Sequence, residues 1–93
     1  MVIEYLDIGE ENAKTNEELS RFFGLDGREM RDLIRKARLA GEPICATNKG
    51  YFKPATIEDL KRSVSRLYKQ ARETRKSAEA MNKIVKSGGI NNE

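Results

Sequence analysis

The sequence predicts a mainly α chain that carries one small β-hairpin and ends in a long helix. Three observations lead there. Met30, Leu33, Ile34 and Ala37 recur at spacings of three and four, the period of a helix with one buried face. Ile44–Thr47 and Tyr51–Lys53 read as two short strands around Asn48-Lys49-Gly50, a three-residue loop with Gly where a positive φ is needed. From Thr56 to Ser87 there is neither Gly nor Pro, and apolar residues keep the helical spacing throughout.

Met1 to Ile8 opens the chain with Val2, Ile3, Tyr5, Leu6 and Ile8. Periodicity alone does not separate a short helix from a strand there. Gly9 to Lys14 reads as a polar turn. Thr15 and Glu18 make a capping box, in which the N-cap hydroxyl and the N3 carboxylate each satisfy a backbone N–H of the other residue. A short helix follows to Phe23, with Leu19, Phe22 and Phe23 expected in the core and Leu25 buried under the turn 24–27. Asp26 and Glu29 form a second capping box for a helix spanning 26–40. Gly41 suits its left-handed C′ position, and Pro43 keeps it from restarting. Helix, glycine-containing turn and basic second helix together read as a helix-turn-helix.

That second helix has another stripe beside the apolar one. Arg28, Arg31, Arg35 and Arg38 recur at 3-4-3, with Lys36 alongside. Like charges at these spacings repel by a few tenths of a kcal/mol per pair, roughly 0.2–0.5, unless something anionic faces them. A solvated face relieved by Glu29 and Asp32 explains the stripe equally well when it is taken alone. A basic helix abutting a hairpin tipped with Lys49 favours a recognition helix with a wing.

Arg38-Leu39-Ala40-Gly41, Pro43-Ile44 and Lys49-Gly50-Tyr51-Phe52-Lys53-Pro54 resemble the end of the winged helix-turn-helix domain of biotin-protein-ligase repressors. They also resemble small winged-helix proteins of phages and prophages of Gram-positive bacteria. The resemblance covers residues 1–54. The chain departs from the repressor pattern at Ala37 (Leu in the family) and Asn48 (Gly in the family), and it has no ligase domain. The resemblance implies a first helix at residues 1–8, with Leu6 and either Val2 or Ile3 turned inward. The stripe beside the wing leads to the expectation of sequence-specific binding of double-stranded DNA through Arg28, Arg31, Arg35, Lys36, Arg38, Lys49, Tyr51 and Lys53, in line with what the resemblance implies. Tyr51 and Phe52 point to opposite sides of their strand and are expected mainly to hold the wing in place.

Residues 55–87 read as one basic amphipathic helix, with Thr56 and Asp59 as its capping pair. Ile57, Leu60, Val64, Leu67, Ala71, Thr74, Ala78, Met81 and Val85 trace a heptad seam that is strong in its first half and thin in its second. Pairing of two chains along Ile57, Leu60, Val64, Leu67, Ala71 and Met81 accounts for the seam. So does packing of its first half on the preceding domain. The basic residues on its outer surface fit either phosphate contacts or the solvated outside of a coiled coil. Residues 88–93 read as a flexible tail.

Net charge is only +3 over 93 residues, but it is uneven. Residues 1–56 carry 9 Lys/Arg against 10 Asp/Glu, and residues 57–93 carry 9 against 5. With no histidine and a single cysteine, Cys45, the chain lacks a zinc ligand set and a Ser-His or Cys-His nucleophile pair. Lys49-Gly50 lacks the upstream glycines of a phosphate loop. No enzyme activity, cofactor or metal is expected. Cys45 in a short strand reads as a buried structural thiol, compatible with a reducing cytoplasm of a bacterium or phage-infected cell. No apolar run reaches the roughly 18 residues of a membrane span. The expected role is a transcriptional regulator or a phage replication or packaging accessory. The alternative is an assembly module that uses the helical domain as a scaffold, the basic stripe on an acidic protein partner and the long helix for oligomerisation.

Overall fold

The computed structural model describes residues 1–88. It is mainly α: helices α1 (Asn16–Phe23), α2 (Gly27–Leu39) and α3 (Ile57–Ser87), with strands β1 (Cys45–Thr47) and β2 (Gly50–Phe52) between the second and third. Two single 3₁₀ turns, Val2–Tyr5 and Glu10–Asn12, precede α1. The expected first helix is thus one tight turn. It buries Val2 and Leu6, while Ile3 packs at the core's edge.

The caps form as the residue types demand. Thr15 Oγ1 accepts the Glu18 N–H at 3.1 Å while Glu18 accepts the Thr15 N–H at 2.8 Å. Asp26 and Glu29 repeat the exchange at 2.8 and 3.0 Å. Gly24, at φ +69°, ends α1, and the Leu25 N–H returns to the Ser20 carbonyl. At the end of α2 the Glu42 N–H donates to Ala37 and the Gly41 N–H to Arg38, a Schellman closure made possible by Gly41 at φ +100°.

The core is built where the 3-4 spacing puts it. Leu19, Met30, Ile34 and Ala37 close against Val2, Leu6 and Ile44, with Phe23, Leu25, Leu33 and Tyr51 packed partly against them. One expectation fails. Phe22 is 66% exposed, because α1 lies on α2 through Leu19 and Phe23 and turns Phe22 outward. Leu25 is only half-buried. Glu42 is buried and its carboxylate accepts the Ile3 N–H at 2.9 Å, tying the end of α2 to the first 3₁₀ turn.

β1 and β2 pair antiparallel in the register Cys45↔Phe52, Ala46↔Tyr51, Thr47↔Gly50. The loop is therefore two residues, Asn48-Lys49, rather than three, and β1 begins at Cys45 rather than Ile44. Residues 8–14 do more than turn. Lys14 and Tyr51 exchange both backbone hydrogen bonds at 2.8 and 2.9 Å, and the Gly9 N–H donates to Lys53 at 2.9 Å. β2 is thereby paired on both edges. Phe52 is buried and Tyr51 half-buried, the two environments expected of alternating strand residues.

Two compact units divide the chain, residues 1–63 and residues 64 onward, so the first turns of α3 belong with the first unit. The reason is Ser63. It is buried, and its Oγ accepts the Ala46 N–H at 3.2 Å from β1. Leu60 is half-buried beside it, whereas Ile57 is 60% exposed. Thr56 and Asp59 cap the helix as expected, and Asp59 also holds Arg62. Gly88, at φ +71°, follows its last turn. Of the expected tail, 88–93, all but Gly88 lies outside the described residues. Cys45 is fully buried, and burial pushes its thiol up from the ordinary value.

Candidate nucleic-acid interface

α2 exposes one side because Met30, Ile34 and Ala37 bury the other. Arg28, Arg31, Arg35 and Lys36 all lie on the exposed side. Arg28, Arg31 and Arg35, with Glu29 and Asp32, line a shallow depression of about 520 Å³. The two acidic residues in it do different work. Glu29 turns back to the N-cap N–H of Asp26 and serves the helix end. Asp32 holds Arg35 at 2.8 Å and Lys36 at 3.1 Å, and these hydrogen bonds keep its carboxyl below the usual range. Among the described residues neither Arg28 nor Arg31 has an ion-pair partner.

The other predicted site residues separate into groups. Lys49 is exposed at the hairpin tip, where its N–H donates to Thr47 Oγ1 at 3.2 Å. Arg38 lies at the inner edge of the stripe, half-buried. Its Nε donates to the Ile44 carbonyl at 2.9 Å, and its guanidinium carbon sits 6.0 Å from the centroid of the Tyr51 ring. That pair joins the end of α2 to the hairpin, which is a structural role. Lys53 is half-buried, with its backbone N–H donating to Asp7 and its carbonyl accepting from Gly9. The predicted set thus resolves into an outward face on α2, a single cation on the loop, and three residues at the hairpin base.

Sequence reading missed the contacts that hold this surface. Ser63 lies beside the seam and carries no signal of its own in the sequence, although it follows Leu60 by three residues and precedes Leu67 by four. Lys14 and Asp7 form an ion pair at 2.7 Å beside the strand that carries Tyr51. Their hydrogen bond holds the Asp7 carboxyl down and the Lys14 ammonium up. Glu18 is lowered too, by the Thr15 N–H it accepts.

A pH dependence follows from these groups. For Asp7, Glu18 and Asp32 the folded value lies below the unfolded one. Their contribution is complete above the usual carboxylate value of about 4 and is lost as pH falls through the depressed values. Thermal melts are expected to hold level near neutrality and to fall below about pH 4. All three side chains are solvent-exposed, so the effect is small, and Asp7→Asn should flatten part of the acid limb. An acid limb that Asp7→Asn and Glu18→Gln both leave unchanged would show that these pairs carry no stability.

Among the described residues no group of three His, Cys, Asp or Glu side chains is placed to hold a metal ion, and no helix is long and apolar enough to cross a membrane. In comparisons with known proteins, no family model, no curated protein and no solved structure matches this chain.

Proposed function

We propose that this chain binds double-stranded DNA as a small winged-helix protein, with α2 as the recognition helix and the β1–β2 hairpin as the wing. The observation that carries the reading is the exposed face of α2, where among the described residues Arg28 and Arg31 form no ion pair and Arg35 shares Asp32 with Lys36. A guanidinium pairs bidentately with the O6 and N7 of guanine and also clamps phosphates, so this face suits a major groove or its flanks. A helix, a glycine turn, a basic helix and a lysine-tipped hairpin are in the order such a module needs. It performs no chemistry and acts by occupying DNA, as a transcriptional regulator or a phage replication or packaging accessory.

The deciding experiment is titration of the full chain with mixed-sequence duplex DNA at low and moderate salt. Binding that weakens steeply as salt rises is expected, because each phosphate contact releases counterions. No binding at low salt would leave the rival reading, an assembly module built on the same fold. Lys49 gives a finer check. On a two-residue loop it acts as a point charge toward a phosphate, so Lys49→Ala should reduce the log–log salt slope by about 0.9. An unchanged slope would mean that the hairpin faces away from the nucleic acid.

α3 supplies the second part of the proposal, a homodimer. Val64 and Leu67 are 44% and 43% exposed, and Met81 is 67% exposed. Because Leu60 is already half-buried, pairing along the seam relies mainly on Ile57, Val64 and Leu67, with Ala71 and Met81 continuing it. Burial of each large aliphatic stabilises by about 1.5–3 kcal/mol at most.

A further inference from the structure

Three aromatic rings meet at the surface of the first unit. Tyr5 and Phe22 lie 5.4 Å apart between centroids, Tyr5 and Phe23 5.3 Å, and Phe22 and Phe23 5.2 Å. The last two pairs meet edge to face, at 79° and 90°. Phe23 belongs to the core's edge, but Phe22 is 66% and Tyr5 48% exposed. Leu19, Lys14 and Glu18 complete a cavity of about 240 Å³ against Tyr5 and Phe22. The fold does not need Phe22 there, since the core closes through its neighbours. A ring cluster left open to water in this way marks an interaction surface.

Charge on the chain indicates the occupant. Residues 1–25 carry two Lys/Arg against six Asp/Glu, a net of −4. Residues 64–88 carry seven against two, a net of +5. Near the end of that basic stretch Met81, Ile84 and Val85 are 67%, 50% and 74% exposed. They stand at i, i+3 and i+4, the spacing of anchors that enter a groove from one helix face. Lys83 and Lys86 flank them. A methionine thioether is also well suited to the edge of an aromatic ring.

We propose that the Tyr5–Phe22–Phe23 patch of one copy receives the Met81–Ile84–Val85 segment of α3 from a second copy, with Lys83 and Lys86 toward the acidic first turn of α1 at Glu17. The contact is heterologous: patch and helix are different surfaces, so each copy offers one of each. It does not depend on the DNA-binding reading. It also differs from seam pairing, which relies mainly on Ile57, Val64 and Leu67: Met81 and Val85 are seam positions, but Ile84 and Phe22 are not.

The test is complementation between two variants of the full chain. Phe22→Ser removes the patch and leaves the helix, while Ile84→Ser removes an anchor and leaves the patch. Both positions are exposed, and circular dichroism confirms folding. The mass of the parent, measured by analytical ultracentrifugation over a wide micromolar range at low salt, should rise with concentration beyond any seam dimer. Each variant alone should need about tenfold more protein or higher to do the same, as loss of a central anchor implies. An equal mixture should restore one good contact per pair of chains and recover association. Reversing the charge at Glu17 (Glu17→Lys), which is exposed and takes no part in the Thr15–Glu18 cap, should weaken the parent contact, and Lys83→Glu on the other copy should restore it. The proposal is overturned if Phe22→Ser associates as the parent does, or if the parent stays monomeric throughout. It is also overturned if the mixed variants associate no better than each alone.

Discussion

Converting Arg28, Arg31 and Arg35 together to alanine is expected to remove measurable duplex binding while leaving the fold intact. The three guanidinium groups share the exposed face of α2, and their only ion pair among the described residues is Arg35 with Asp32. A bidentate contact to a base contributes about 1–3 kcal/mol of discrimination, so losing three such contacts or the equivalent phosphate clamps is enough to abolish binding. Folding should barely change. Exposed substitutions away from caps and core usually fall within about 0.5 kcal/mol, and alanine is a good helix former. Single variants then sort the roles. One that weakens binding to every sequence alike and lowers the salt slope marks a phosphate contact. One that relaxes preference at a single base pair marks a base contact. Should the triple variant bind like the parent, α2 is not the recognition helix.

The second large effect is on stability. Gly50→Ala is expected to cost about 2–4 kcal/mol, the sum of backbone strain and overpacking. Gly50 has φ +128°, which L side chains rarely adopt, and a Cβ there would lie 2.3 Å from the Lys14 carbonyl oxygen and 2.9 Å from the Thr15 nitrogen. Both obstacles are backbone, held in place by the paired hydrogen bonds between Lys14 and Tyr51. Relief would require β2 to leave residues 8–14. Gly41 is the control. It has φ +100°, but an added Cβ would meet nothing within 4 Å. Gly41→Ala should therefore suffer only the conformational penalty of about 1 kcal/mol. Urea melts of the two variants separate close approach from strain, and equal midpoints would show that the contact with Lys14 yields easily.

Local chemistry makes much of this protein legible in its sequence. Three capping boxes, Thr15–Glu18, Asp26–Glu29 and Thr56–Asp59, stand where the residue types put them. Such boxes need only residues three apart, so tertiary context hardly enters. The Schellman closure at Gly41 and the unbroken run from Ile57 to Ser87 are local in the same sense. Periodicity identifies Met30, Ile34 and Ala37 as the buried side of α2, and by elimination places Arg28, Arg31 and Arg35 outside. That much of the candidate site is readable from spacing alone.

Contacts between distant segments are not readable in this way. Phe22 and Phe23 are chemically identical, and only the crossing of α1 on α2 decided which one the core would take. Arg38 continues the arginine stripe in sequence, yet it is drawn inward because the Ile44 carbonyl and the Tyr51 ring lie at the end of α2. Gly50 is expected for its backbone conformation. Its second reason, a carbonyl of Lys14 pressed against it, comes from a segment that reads as a polar turn. Ser63 escapes notice because it lies beside the seam and a serine counts as polar by composition, although its hydroxyl accepts the Ala46 N–H of β1. The sequence by itself determined the helices, their ends and the side of α2 that faces water, since those depend on residues within one or two turns of each other. The tertiary structure decided which aromatic stayed exposed, which arginine became structural and which turn of α3 belongs to the first unit. Each of those depends on groups brought together only when the chain closes.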